Sequence, residues 1–147
     1  MQTARLFVIG VFALLAGCAA TGVKYTEMKA SVPALKPGEG RIYFYRSASM
    51  VGAAIQPEIK LNGVTVGSSV PGGFFFVDRP AGNYEASAAT EVERKLTFTL
   101  ATGETKYVRT YPSFGVTVGR INFELLNAAV AEAQLAPLSH TAPTPSH

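Results

Sequence analysis

PEIKLNGVTVGSSVPGGFFFVDRPAGNY, residues 57–84, decides the fold. Its apolar residues alternate with polar ones and two turn signatures divide it, so it reads as consecutive antiparallel strands. Asn62-Gly63 is the strongest short hairpin signal, because a two-residue type I′ turn needs positive φ at both central positions, and Asn and Gly tolerate that at least cost. A turn there sets Leu61 against Val64 and Ile59 against Val66 on one face, with Lys60 and Thr65 on the other. Phe74 to Val77 is apolar at every position, as in a strand buried on both sides. Across Asp78 to Tyr84, Pro80 blocks ladder pairing and Gly82 is expected to take the positive φ that ends a turn.

Strands continue on both sides of this stretch. Upstream, Arg41 to Arg46 is rich in residues that suit a pleated surface, with Ile42 and Phe44 on one side and Tyr43 and Tyr45 on the other. Downstream, Tyr84 to Ala88 and Lys95 to Leu100 alternate like half-buried strands, and Lys106 to Tyr111, Val116 to Val118 and Ile121 to Leu125 follow. Asn127 to Ala136 changes to strong helix formers, with Asn127 as N-cap and Pro137 as stop. The expected fold is all-β, a small antiparallel β-sandwich over residues 40–136 with one short C-terminal helix. Residues 137–147 are proline-rich and polar, and read as a disordered tail.

The N-terminus speaks of location. Arg5 followed by the apolar run Leu6 to Ala16 is a secretory signal pattern over residues 1–17, too short to span about 30 Å of hydrocarbon. Leu15-Ala16-Gly17-Cys18 resembles the lipobox of bacterial lipoproteins, and Cys18 is the only cysteine in the chain. That resemblance implies cleavage before Cys18 and a covalent lipid on it. Two or more acyl chains make such an attachment stable, at about 0.8 kcal/mol per buried CH₂. Ala19 stands where an Asp would resemble an inner-membrane retention signal, which favours the outer membrane, with the domain facing the periplasm. Residues 18–39 then read as a lipidated N-terminus and tether, whose Tyr25, Met28, Val32 and Leu35 can partly dock on the domain. A single cysteine permits no intramolecular disulfide, so the core alone must hold the domain.

Thirteen Lys and Arg against ten Asp and Glu give a net charge of +3, and the basic residues are scattered singly. Nucleic acid is therefore not an expected partner. Gly40 to Arg46, Leu61-Asn62-Gly63, Gly72 to Phe75, Pro80 to Tyr84 and Tyr107-Val108-Arg109 together resemble a family of bacterial lipoproteins known as domain of unknown function 2846. The order of the turns is also similar to PEGA and transthyretin-like β-sandwiches. These resemblances imply a binding or scaffolding module and no particular activity.

The chemistry-bearing residues point the same way. His140 and His147 lie in the tail, away from any rigid scaffold that would hold a catalytic base. No metal or cofactor is expected apart from the lipid on Cys18, since Cys18 is the sole thiol and one Asp with scattered Glu makes no calcium loop. The candidate recognition surface is Tyr43, Tyr45, Tyr107 and Tyr111 with Arg46, Arg109 and Arg120, since Tyr and Arg couple large contact area to directional donors. The favoured reading is a non-catalytic envelope module, anchored to the membrane by its lipid, that binds an envelope protein or glycan. Two alternatives stand beside it: an inhibitor of a periplasmic hydrolase using Ser47 to Ala54 or Pro112 to Arg120, and a glycan-active enzyme using Glu91, Glu93 or Asp78.

Overall fold

A computed structural model describes residues 19–143. The leader, Cys18, His147 and the last residues of the tail lie outside them. The strands are β1 (Glu39–Arg46), β2 (Glu58–Leu61), β3 (Val64–Ser68), β4 (Gly73–Pro80), β5 (Gly82–Ala89), β6 (Glu93–Leu100), β7 (Thr105–Ser113), β8 (Arg120–Leu126) and β9 (Ser139–His140). They form a five-stranded sheet in the order β8-β7-β1-β4-β9 and a four-stranded sheet in the order β3-β2-β5-β6. Most pairings are antiparallel, but β1 runs parallel to β7 and β4 parallel to β9.

The side-chain period of two builds both layers of packing. Ile42 and Phe44 on β1, with Phe75 and Val77 on β4, point between the sheets and meet Ile59, Leu61, Val66, Ala86, Phe98, Leu100 and Val108. Tyr43, Tyr45, Phe74 and Tyr107 point the other way and form a second core with Tyr25, Ala131, Leu135 and Leu138. The Phe74 to Val77 run is thus buried on two sides, as its sequence predicts.

The Asn62-Gly63 turn forms with φ of 49° and 82°, and Leu61 faces Val64 while Lys60 faces Thr65. A bulge between Ile59 and Lys60 then sets Ile59 opposite Gly67 instead of Val66. Ile59 and Val66 are both buried nonetheless, whereas Val64 stays exposed on the edge strand.

The strands of residues 57–84 are not all neighbours. β4 leaves the β2–β3 hairpin to pair with β1, and at Pro80-Ala81-Gly82 the chain steps back to the four-stranded sheet. Gly82 is not among the residues with positive φ. The chain bends at Ala81 instead, and Gly82 pairs with Leu100 as the first residue of β5, because β4 and β5 belong to different sheets. Residues 114–119 form a loop rather than the expected strand around Val116 to Val118.

The helix follows its sequence signals: α2 spans Ala128–Leu135, and the Asn127 side chain accepts from the Val130 N–H at 3.0 Å. It lies across the outer face of the five-stranded sheet, burying Ala131 and Leu135. The segment read as a tether shares that work. A short helix, α1 (Tyr25–Met28), buries Tyr25 edge-on against Tyr43 and Phe74 at 5.9 and 5.4 Å. Ala20 N–H donates to Pro71, and the Lys29 ammonium pairs with Glu132 on α2. The start of the tail is ordered too, with Leu138 and Ser139 buried and β9 added to the sheet. A sheet face of tyrosines and phenylalanines must be covered, and these terminal segments cover it.

Candidate functional site

The tyrosine and arginine cluster expected as a surface is mostly interior. Tyr43 stacks on Tyr107 at 5.5 Å, and both are buried beneath α1 and α2. The Tyr45 hydroxyl donates to Gln134 at 2.9 Å and the Tyr107 hydroxyl to Glu132 at 3.3 Å, so each buried phenol finds a polar end on α2. Burial pushes both phenols up to about 12, with Glu132 adding to the effect at Tyr107. These are packing residues. Alternation along β1 identifies their face but carries no information about what covers it.

Arg46 is buried as well, 1% exposed. Its guanidinium donates to the carbonyls of Ile55 at 2.6 Å, Gly52 at 2.7 Å and Ser69 at 3.2 Å, and Nε has no partner among the described residues. Arg46 therefore clamps the loop after β1 to the loop after β3. Arg109 and Tyr111 remain at the surface, where the guanidinium pairs with Glu124 and lies 5.4 Å from the Tyr111 ring. Arg120 is elsewhere, bound to Glu91 at 3.0 Å. The seven residues are three packing tyrosines, one internal clamp, an Arg-Tyr pair on β7 and one loop anchor.

The carboxylates do not converge. Asp78 is held bidentate by Arg41, with both contacts at 2.7 Å, near the start of β1, whereas Glu91 sits beyond its far end. Glu93 lies within 3.7 Å of Lys95. His140 is not free in solvent, because it packs edge-on against Phe74 at 5.4 Å, and burial lowers its pKa. Among the described residues no group of three or more His, Cys, Asp or Glu is placed to hold a metal ion.

Glu91 shapes one end of the sandwich. One oxygen accepts from Val116 N–H at 3.0 Å and from Arg120. The other accepts from the N–H groups of Thr117 at 2.8 Å and Val118 at 3.3 Å and from the Thr117 hydroxyl at 2.9 Å. The loop wraps so closely that a Cβ on Gly115 would collide with this carboxylate. These donors, with the Thr117 N–H foremost, pull the Glu91 pKa down from 4.5 to about 2. Because the folded value lies below the unfolded one, this bracing is complete above pH 4.5 and is lost as pH falls toward about 2. Amide exchange by NMR is therefore expected to be slow at Val116, Thr117 and Val118 at neutral pH, with protection falling through that window. Glu91→Gln should reduce protection at neutral pH and flatten its pH dependence. Unchanged protection between pH 5 and 2 would contradict the assignment.

Because β1 and β7 run parallel, the loops that follow them, 47–57 and 114–119, emerge at the same end. They touch: a Cβ on Gly52 would come within 2.7 Å of Pro112, and one on Gly119 within 2.7 Å of Ile55. Between them lies an open groove of about 540 Å³, lined by Val51, Ile55, Pro112, Phe114 and Val118. Met50, Phe114 and Val116 project from these loops, 91%, 92% and 88% exposed. The sequence marks each loop as protruding, but their adjacency and their shared apolar tips emerge only from the fold. A second, shallow cleft of about 490 Å³ lies on the four-stranded sheet, with Asn62, Asn83, Glu85, Thr97 and Thr99 beside Tyr84 and Phe98 in its walls.

The fold and its surfaces define a small two-sheet β-sandwich whose aromatic outer face is largely covered by its own terminal segments and which presents an apolar loop end and a polar sheet face. Residues 36–121 match the family described as "Protein of unknown function (DUF2846)", and the chain belongs to that family. It is 27% identical over 140 residues to an uncharacterized protein of Haemophilus influenzae (strain ATCC 51907 / DSM 11121 / KW20 / Rd), a match covering 92% of this chain and 83% of that protein. No solved structure matches.

Proposed function

We propose that the protein is a lipid-anchored, non-catalytic module of the cell envelope, held to the outer membrane through Cys18 and facing the periplasm, where it binds an envelope protein or glycan by surface contact. The signal pattern and the lipobox-like Leu15 to Cys18 motif support the anchor. One structural observation carries the reading furthest. The chain is already fastened to the domain at Ala20, whose N–H donates to Pro71 at 3.2 Å and whose Cβ lies against Gly73. Cys18 is two residues away, within about 7 Å of extended chain. A lipid there holds the sandwich directly at the bilayer, loop end first, instead of on a long leash.

In that orientation the polar face of the four-stranded sheet is free for a partner. It offers Asn62, Asn83, Thr97 and Thr99 with the Glu85–Lys95 pair at 2.9 Å, a set of directional donors and acceptors suited to a polar partner. Asp78 and Glu91 are each engaged by an arginine, which disfavours the glycan-active alternative.

Two measurements test the proposal. Mass spectrometry of the mature N-terminus is expected to find a lipid on Cys18, and a free thiol would overturn the anchor. A photo-crosslinking residue at Thr97 in intact cells is expected to capture one dominant envelope component. Capture of none, while the lipid is present, would overturn the partner face and leave the anchor standing.

A further inference from the structure

We propose that the apolar loop end is a membrane-seating surface, with Phe114, Val116, Val118, Met50 and Val51 entering the interfacial region of the bilayer that holds the anchor. This rests on the anchored reading and adds to it a second, non-covalent contact with lipid.

Composition and topology agree on this end. Residues 19–23, 47–57, 69–72 and 112–119 all reach it, and none of them contains an Asp, Glu, Lys or Arg. Glu91 is the one charge in the adjoining 89–92 turn, and its carboxylate is consumed by three backbone N–H groups, the Thr117 hydroxyl and Arg120. Arg46, directly beneath, is buried and spent on three carbonyls. Glu58 and Glu93 begin β2 and β6 behind the tips, on the side of the four-stranded sheet.

Met50 and Phe114 are exposed together with Val51, Val116 and Val118, whereas most other aromatic rings among the described residues are buried. Large apolar patches exposed on a small domain mark an interaction surface. Its occupant follows from where the chain enters. Ala20 is bound to Pro71 in the same loop end, so a lipid on Cys18 brings this patch, and not the Asn62-Gly63 end, to the bilayer. Burying apolar groups at the headgroup boundary then adds to the acyl chains. The Glu91 brace is what lets such a loop hold its apolar tips outward in water, because the loop's own N–H groups are satisfied from within.

The chain has no tryptophan, so Phe114→Trp gives a single reporter at a position too exposed to affect folding. Mature, lipidated protein carrying this change is reconstituted in phosphatidylethanolamine–phosphatidylglycerol vesicles. The expected result is a blue-shifted emission that is quenched by brominated acyl chains. A second reporter, Thr102→Trp in the exposed turn at the opposite end, should stay unshifted and unquenched. An unquenched Phe114→Trp reporter in vesicles, with the Cys18 lipid confirmed by mass spectrometry, would overturn the seating and leave the anchor intact. If Cys18 carries no lipid but added vesicles still quench the same reporter, the anchor fails and the seating stands. An indole at that loop tip that stays wet on vesicles and shifts only when a soluble envelope hydrolase is added would overturn the seating in favour of an inhibitory loop.

Discussion

Arg46→Met is expected to lower the unfolding free energy by about 3 kcal/mol, read from urea denaturation, since a buried acceptor left without a donor costs about 1–3 kcal/mol. The substitution keeps most of the buried volume but strands the carbonyls of Ile55 and Ser69, now satisfied at 2.6 and 3.2 Å, and leaves the Gly52 carbonyl with the Ile55 N–H as its remaining donor. Relief of the desolvated guanidinium, whose pKa burial lowers, offsets part of the sum. Arg46→Lys should fall in between, because one ammonium cannot reach three carbonyls that the planar fork spans. A loss below about 1 kcal/mol for Arg46→Met would show that the loops need no internal clamp.

Phe75→Ala should cost about 3–5 kcal/mol, the usual range for emptying a fully buried aromatic site. The Phe75 ring is stacked on Phe44 at 5.2 Å in the middle of the inter-sheet core. Its far edge also fills the space over Gly67, where a Cβ would come within 2.5 Å of Cζ. Gly67→Ala should therefore be disruptive in the native chain and well tolerated in the Phe75→Ala background. Equal costs of Gly67→Ala in both backgrounds would refute this contact, since two sites in contact should not add. Domains have stabilities of about 5–15 kcal/mol, so either Phe75→Ala or Arg46→Met removes a large share.

What is legible in the chain follows from how local each cause is. Asn62-Gly63 and the alternation around it specify a hairpin and its register at Lys60–Thr65 without reference to anything distant. Asn127 and Pro137 bracket α2 for the same reason. Pro80-Ala81-Gly82 is ambiguous, because residues that end a ladder serve a hairpin or a change of sheet equally well, and only the distant partner, β1 for β4, decides. The parallel pairing of β1 with β7 is equally non-local. It alone joins two loops that lie far apart in the chain, although the lack of charge in both is plain in the sequence. Tyr43, Tyr45 and Tyr107 read as a recognition surface because the segments covering them lack periodicity, and a lone Tyr25 or Leu138 advertises little until it is seen docked.

The two extremities of the folded region are stitched to each other: Lys24 bridges Ser139, and His140 N–H donates to the Val23 carbonyl at 2.7 Å. The second aromatic core thus draws on both Tyr25 and Leu138. As the chain emerges N-terminus first, the inter-sheet layer has its strands by Leu126, but the tyrosine face stays incompletely covered until the segment around Leu138 follows. Pairings of such wide sequence separation also close slowly. Completion waits on the segment around Leu138, so a chain stopped after Ala136 should display Tyr43 and Phe74 as a sticky, aggregation-prone plane.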